Sequence, residues 1–316
     1  GRVGNRTRRG FFEHARVIGR IDDHRDIAMV LGRRAQHGRA ADVDVLDRVL
    51  EGAIGLGDRL LERIQVHHQQ VDRADVVYEE IVEGGITRLA AVFNQFSPPK
   101  VGPVRSVRKT DQAIVWCLGG LFAFSGGAPY AVASISTAPV QIFSETRAGI
   151  AMFRDPKRYA PHNLYANAAN MFQFKGTPTP PHPIFTYREI GERSGGRKVK
   201  SFRVGFRMGY ATSFYWNGAT ESWDRVIFAK PDVTGTGVQV SPKNVVVMWI
   251  TYDGGVGSFG AEGVMVGTGR AQIFTDGRTI TGTWSRTTKS EPIVYRDAAG
   301  NVIPMTPGQT WVELAA

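Results

Sequence analysis

Residues 74–95 read ADVVYEEIVEGGITRLAAVFNQ, and the fold turns on how this stretch is placed. Its first half, DVVYEEIVEGG, opens with β-branched and aromatic residues and stops at Gly84-Gly85, which predicts a strand or a short helix ended by the glycine pair. The second half, ITRLAAVFNQF, alternates loosely through Ile86, Leu89, Ala91 and Phe93 and predicts a strand. SPPKVGPVRS then reads as a turn, because Pro98, Pro99 and Pro103 each lack a backbone donor and fix φ. The run IVWCLGGLFAFSGGAP is almost continuously apolar, as in a strand buried on both faces. It ends in Ser125-Gly126-Gly127, where the backbone can take positive φ, and a helix over YAVASIS is expected next. A buried strand entering a glycine-rich turn before a helix is a common way to present backbone N–H groups to a ligand.

Outward from this stretch, the chain of 316 residues is long enough to bury a full core and to hold two domains. Its 42% apolar and 22% charged residues place it among globular proteins. The net charge of +10 and a pI near 9.9 favour anionic partners, although an arginine-rich coding bias produces the same figures. The one cysteine, Cys117, lies inside the apolar run and has no partner for an internal disulfide, so it reads as a small hydrophobe. No apolar stretch reaches the roughly 18–20 residues of a membrane helix, and no signal peptide is visible.

Residues 1–72 are atypical: thirteen Arg, no Lys and five of the seven His. A helical period occurs only around Asp44–Ile64, through Leu46, Leu50, Ile54, Leu60 and Leu61. Arg6, Arg8 and Arg9 read as a solvated tail. His67-His68 make a poor metal pair, because neighbours on a helix diverge by about 100° and no acidic or Cys ligand sits at suitable spacing. Residues 73–174 form the first coherent domain, with mixed strands and helices. Residues 175–200 have linker composition, rich in Pro and then Gly and basic residues. Residues 201–316 carry short β-rich runs between Gly, Asn, Asp and Pro, which argues an antiparallel sheet or small barrel with hairpins at IFTDGRTI and VYRDAAGNVI. The fold class is therefore α+β: an α/β-type first domain with a mixed sheet, then a β-rich antiparallel second domain.

Candidate chemistry concentrates in the first domain. Glu79, Glu80 and Glu83 are acid/base or cation-binding candidates, or a polar face that balances nearby arginines, and no second acidic group completes a site. Arg88, Arg105 and Arg108 suit bidentate recognition of phosphate or carboxylate, or pairing with those glutamates. Ser125, Gly126 and Gly127 form an anion nest or a nucleophile turn, but match neither the hydrolase elbow nor the phosphate loop. His162 and Asn163 follow a proline. His162 is a candidate base toward Ser125, with Asp155 or Asp111 as its orienting group, and a helix-capping role for the His-Asn pair is the plainer reading. GVGSFGAEG and GTGRAQ lie between strands without a following helix, so a dinucleotide site is a poor reading. No cofactor and no metal are expected.

ADVVYEEIVEGGITRLAAVF, KVGPVRSVR, FSGGAP and APHNLY, in this order, resemble the first domain of the YerB-like candidate lipoproteins, a domain-of-unknown-function family of the bacterial envelope. NVVVMWITY, GTGRAQIFTDGRTITGTWSR and PGQTWVEL resemble the second domain, so the likeness spans about residues 73–316. It implies secretion and anchoring by a lipidated N-terminal Cys, and it brings no established activity. It marks Glu79, Glu80, Glu83, Gly84, Gly85, Arg88, Gly102, Pro103, Arg105, Ser106, Arg108, Ser125, Gly126, Gly127, His162 and Asn163 as motif positions. Family members carry a further strand and segment where VHHQQVDR stands here, and the anchor and signal peptide are absent from this chain. Residues 1–72 resemble translation of a wrong reading frame in a GC-rich gene, in which case one strand of the first domain is missing or replaced. A peptide from His14–Arg59 in the native protein would refute that reading.

Three functions follow as expectations. The first is a non-catalytic envelope binding or scaffold module with an anion-binding cleft formed by Arg88, Arg105, Arg108, Ser125, Gly126, Gly127, His162, Asn163, Glu80 and Glu83. The second is a hydrolase or transferase acting on an envelope phosphate or ester polymer, with Ser125 as nucleophile, His162 as base and Arg105 as anion stabiliser. The third, nucleic-acid binding, rests on net charge alone and lacks a recognition motif.

Overall fold

The computed structural model describes residues 27–31, 68–173, 183–206 and 210–316. The predicted strand pair is present as β2 (Val76–Ile81) and β3 (Thr87–Phe93), antiparallel, with Glu80 opposite Arg88. Gly84 and Gly85 sit at φ +76° and +75° between them, a conformation that glycine adopts without a Cβ penalty. All six residues of β2 are buried, so this strand lies between two packed layers rather than facing water.

The strand slot beside β3 is filled from far upstream. β1 (Ile27–Leu31) runs parallel to β3 and antiparallel to β4 (Leu121–Phe124). Residues 27–31 thus stand between β3 and β4 in the sheet. The Asp44–Ile64 helix, Arg6, Arg8, Arg9 and His67 lie outside the described residues.

The apolar run 114–129 departs from expectation. Its first part closes the helix α1 (Lys109–Val115), and only Leu121–Phe124 is strand. Gly119 and Gly120, at φ +64° and +77°, make the break. An apolar run does not distinguish a buried helix from a buried strand by periodicity, and here the paired glycines decide. The backbone N–H of Arg108 donates to Asp111 Oδ2 at 2.7 Å, satisfying a donor at the start of α1. The expected helix after Gly127 is α2 (Pro129–Ile135), with proline at its first turn. The first region ends with β5 (Gln141–Ser144), β6 (Met152–Arg154), β7 (Leu164–Ala166) and the short helix α3 (Ala168–Met171).

The second half is β-rich as predicted, but it is not a separate antiparallel sheet. β8 (Arg197–Lys198) is followed by β9 (Ser201–Gly205), β10 (Ala211–Asn217), β11 (Ser222–Ile227) and β12 (Lys230–Pro231), and β9–β12 make a four-stranded antiparallel sheet. Then come β13 (Asn244–Trp249), β14 (Tyr252–Asp253), β15 (Glu262–Gly263), β16 (Gly267–Thr275), β17 (Arg278–Arg286), β18 (Val294–Asp297) and β19 (Thr310–Ala315). β13 and β16–β18 join the first region through β19, which pairs in parallel with both β13 and β2. The result is one mixed sheet in the order β18-β17-β16-β13-β19-β2-β3-β1-β4-β5, with β8 pairing to β17. GTGRAQ is the start of β16 rather than a loop. The β16–β17 hairpin turns at Asp276-Gly277, both at positive φ, as its sequence predicts.

The stretch of linker composition is strapped to this sheet where it is described. Arg188 donates to Pro304 O at 2.8 Å, to Thr275 Oγ1 at 3.1 Å and to Thr306 Oγ1. Tyr187 bridges Met305.

Residue parity decides which layer a side chain joins. Val76, Tyr78, Val312 and Leu314 pack with α1 and α2 through Ile114, Ala131 and Ile135. Val77 and Trp311 point the other way and pack with Val204, Phe214 and Trp223 of the four-stranded sheet. The architecture is therefore helices on one face of a long mixed sheet and a second β layer on the other, an α+β arrangement that is mostly strand.

Candidate functional site

The carboxyl ends of β2, β4, β5, β13 and β19 lie along one edge of the sheet, because these strands run in one direction. In sheets of this kind the crevice outside the carboxyl ends is the usual place for ligands. Arg88, Arg105, Arg108, Glu83 and the Ser125–Gly127 turn meet here, around the backbone of residues 105–108.

Arg88 Nη1 and Arg108 Nη1 both donate to the carbonyl oxygen of Ser106, at 3.2 and 3.1 Å. Two guanidinium groups thus stand on one acceptor. Arg108 also donates to Val107 O at 3.1 Å and forms an ion pair through Nε with Glu83 Oε2 at 2.8 Å. The Ser125–Gly127 turn runs alongside: Ser125 N donates to Arg105 O and Val107 N to Gly126 O, both at 2.9 Å. A Cβ on Gly127 would stand 2.8 Å from Val107 Cγ1, so glycine permits this close approach. Arg105 Nη1 donates to Pro161 O at 2.8 Å, which brings the turn holding His162 to the same edge.

Asn163 is directed elsewhere, its Oδ1 accepting from Arg154 Nη1 at 2.7 Å. Of the two aspartates considered as orienting groups for His162, Asp111 caps α1 and Asp155 accepts from Lys100 Nζ at 2.7 Å.

Glu80 belongs to this site but lies beneath it, buried beside Asp111. Burial pushes the Glu80 carboxyl well above the usual carboxylate range, the negative charge of Asp111 pushes it further, and Arg108 and Arg88 oppose both. Burial likewise pushes Asp111 up to about 6 against the Arg108 N–H bond and the two guanidiniums. The balance favours the protonated form of Glu80. Glu80 Oε2 and Asp111 Oδ1 make no hydrogen bond among the described residues.

The glycine-rich segment of the second half closes one side. Gly84 N donates to Gly257 O at 2.9 Å, and a Cβ on Gly257 would fall 2.8 Å from Gly85 N. Gly260 lies against Tyr130, whose ring also has Lys109 Nζ 5.7 Å from its centroid. GVGSFGAEG is thus a packing loop over the Gly84-Gly85 turn.

Glu79, next to Glu80, faces the opposite layer by strand alternation and belongs to a polar centre that the sequence does not reveal. Arg225, fully buried on β11, donates to Glu79 Oε2 at 2.5 Å, to Asp232 and to Thr212 Oγ1 at 3.4 Å, with its guanidinium 4.4 Å from the Trp311 ring. Thr87 Oγ1 donates to Glu79 Oε1 at 2.6 Å. Glu313 stands beside Glu79 in the β19–β2 register, also fully buried. Burial and the Glu79 charge push its carboxyl well above the usual range. Three buried carboxyls around one guanidinium cannot all be ionised without uncompensated charge, and the upward push on Glu313 favours its neutral form. The signal for this centre was Glu79 itself, a carboxylate inside a strand of VVY character. Its partner lies 146 residues away.

At the opposite end of the sheet a groove of about 380 Å³ is lined by Asp75, Asn94, Ile184, Tyr187 and Pro307. A second, of about 340 Å³, lies between Glu189–Arg193, Trp216 and Lys243. Neither contains a residue singled out from sequence. Among the described residues no group of three or more His, Cys, Asp or Glu is placed to hold a metal ion. No helix among them is long and apolar enough to cross a membrane.

Comparison with known proteins follows this geometry. Over 263 residues the chain is 23% identical to the YerB protein of Bacillus subtilis (strain 168), named as a candidate lipoprotein, covering 77% of this chain and 75% of that one. The crystal structure of the Bacillus subtilis YerB protein superposes with a TM-score of 0.67 at 20% identity, covering 79% of this chain and 86% of that chain. At that identity the superposition shows a shared fold. Residues 64–177 match the family described as "Protein of unknown function (DUF3048) N-terminal domain", and residues 202–312 match its C-terminal domain. The two matches take in β2–β7 and most of β9–β19, so the chain belongs to the DUF3048 family.

Proposed function

We propose that this protein is a non-catalytic, extracytoplasmic binding module that holds an anionic group at the edge formed by Arg88, Arg105 and Arg108. The observation that carries the reading is the shared acceptor: Arg88 and Arg108 converge on Ser106 O, and Arg105 flanks the same backbone segment. Burial and the charge of Asp111 push the Glu80 carboxyl up, which favours its neutral form beneath the three guanidiniums. Arginine forks in this arrangement suit phosphate or carboxylate oxygens, and the Ser125–Gly127 turn lies beside them, with its Ser125 N–H given to Arg105 O. The likeness to a protein named as a candidate lipoprotein supports the extracytoplasmic placement.

The test is calorimetric titration with inorganic pyrophosphate. Arg105 is half-buried, so an unchanged thermal midpoint must accompany the Arg105→Ala comparison. Loss of one charge-assisted hydrogen bond, about 1.5–3 kcal/mol, lowers affinity roughly tenfold or more. Absence of binding by the wild type, or equal affinity in Arg105→Ala, overturns the proposal.

A second reading has one observation in its favour: Arg105 joins the turn carrying Ser125 to the turn carrying His162. Hydrolysis of a phosphate or ester would then use Ser125 as nucleophile and His162 as base. Covalent labelling by a fluorophosphonate, lost in Ser125→Ala, supports that reading, and no labelling removes it.

A further inference from the structure

We propose that the segment Arg147–Tyr159 docks this protein onto an anionic lipid bilayer. Three large apolar side chains project from it into solvent: Tyr159 is 90% exposed, Ile150 76% and Phe153 39%. Isolated exposed apolar residues are ordinary, but three within ten residues, interleaved with cations, are not a random surface. Arg147, Lys157 and Arg158 share the segment.

The segment's charge is not balanced internally. Its acidic neighbours are already held: Glu145 accepts two bonds from Arg154, at 2.7 Å each, and Asp155 accepts from Lys100 Nζ at 2.7 Å. Arg147, Lys157 and Arg158 are then the surplus. Nor is the segment a floppy strand of chain. β6 pairs with β7, Asp155 N donates to Asn163 O at 2.7 Å, His162 N donates to Tyr159 O at 2.9 Å, and Phe153 stacks on Tyr165 with centroids 6.1 Å apart. The apolar tips are presented by a hydrogen-bonded scaffold, so little ordering is lost on docking.

Lipid fits better than a soluble polyanion because a polyanion offers nothing to bury Ile150. An aliphatic tip, an amphipathic Tyr tip and adjacent Lys and Arg match the acyl boundary, the interface and the anionic headgroups respectively. The inference stands apart from the anion site, since it uses none of Arg88, Arg105 or Arg108.

The experiment is co-sedimentation of the full chain with phosphatidylcholine vesicles, with and without phosphatidylglycerol. Binding is expected only with phosphatidylglycerol, falling as salt screens the surface. The Ile150→Ser/Tyr159→Ser double variant is expected to lose about tenfold or more of the partition coefficient. Lys157→Glu is expected to lose about fivefold or more. All three positions are exposed, so an unchanged thermal midpoint certifies the fold. No sedimentation with anionic vesicles, equal binding to neutral ones, or unchanged binding in the double variant overturns the proposal. Binding to dextran sulfate without binding to vesicles also overturns it, in favour of a polyanion.

Discussion

Arg225→Met tests whether a buried charge network joins the two family regions. Arg225 lies on β11 and its partner Glu79 on β2, so this guanidinium links the four-stranded sheet to the long one. Both side chains are fully inaccessible to solvent. Met fills most of the volume and removes the charge, leaving Glu79 and Asp232 without their shared cation. Removing one partner of a buried pair costs about 3–5 kcal/mol. The lost contact with Trp311 adds about 0.5–2 kcal/mol. Each stranded carboxyl can escape by taking a proton, at a cost of about 1.4 kcal/mol for every unit by which pH exceeds its ordinary value. The loss is therefore pH-dependent. In the variant the folded carboxyls have raised pKa values, so stability present below about pH 4 is lost as pH rises. Urea unfolding of wild type and variant at pH 5 and pH 7.5 measures this through the midpoint and slope. The expected loss is about 4 kcal/mol at pH 7.5 and clearly smaller at pH 5. A loss below about 1 kcal/mol at pH 7.5, or one independent of pH, would falsify the charge argument.

The remaining predictions use the same physics elsewhere. Glu313→Gln replaces a carboxyl that burial pushes well above its ordinary range with a neutral isostere and is tolerated. Wild-type Glu313 ionises near pH 4.5 when unfolded and at higher pH in the fold, so the variant gains stability over wild type as pH rises from there, by at most about 1.4 kcal/mol per unit. Parallel urea midpoints across pH check this. Asp111→Asn keeps an oxygen for the Arg108 N–H. Asp111 rises from 3.8 to about 6 in the fold, and the ceiling on the variant's gain is about 3 kcal/mol, growing between about pH 4 and 6 and constant above. A gain that shrinks as pH rises would reverse the sign and refute it. Gly257→Ala puts a methyl 2.8 Å from Gly85 N at φ +74°. A cost of roughly 1–3 kcal/mol is expected, with faster hydrogen exchange at Gly84.

What the sequence revealed depended on range. The β2–β3 pair, the Asp276-Gly277 hairpin and the α2 start after Gly127 were legible, because alternation, positive-φ residues and a helix-leading proline are local signals. The split of residues 114–124 into helix and strand was not, since apolar content hid the period. The joining of β19 to β2 was invisible, because a parallel pair leaves no turn in the chain to announce it. The same holds for Arg225: DRVIFAK reads as an ordinary strand until Glu79 is brought to it. Around the candidate site, Arg88, Arg105, Arg108, Glu83 and Ser125 were recognisable from residue type and turn context. The opposite facing of Glu79 and Glu80 follows from strand alternation, yet only the burial of both faces of β2 gives each glutamate a different partner.

The anion site at the carboxyl edge of the sheet is the central claim, and a residue-resolved titration addresses it most directly. Amide chemical shifts of the labelled protein would be followed as inorganic pyrophosphate is added. The account predicts the largest changes at Ser106, Val107, Ser125 and Gly126, with little change at Tyr187–Arg193 on the opposite end. Shifts centred on Tyr187–Arg193, or no saturable shifts at all, would contradict it.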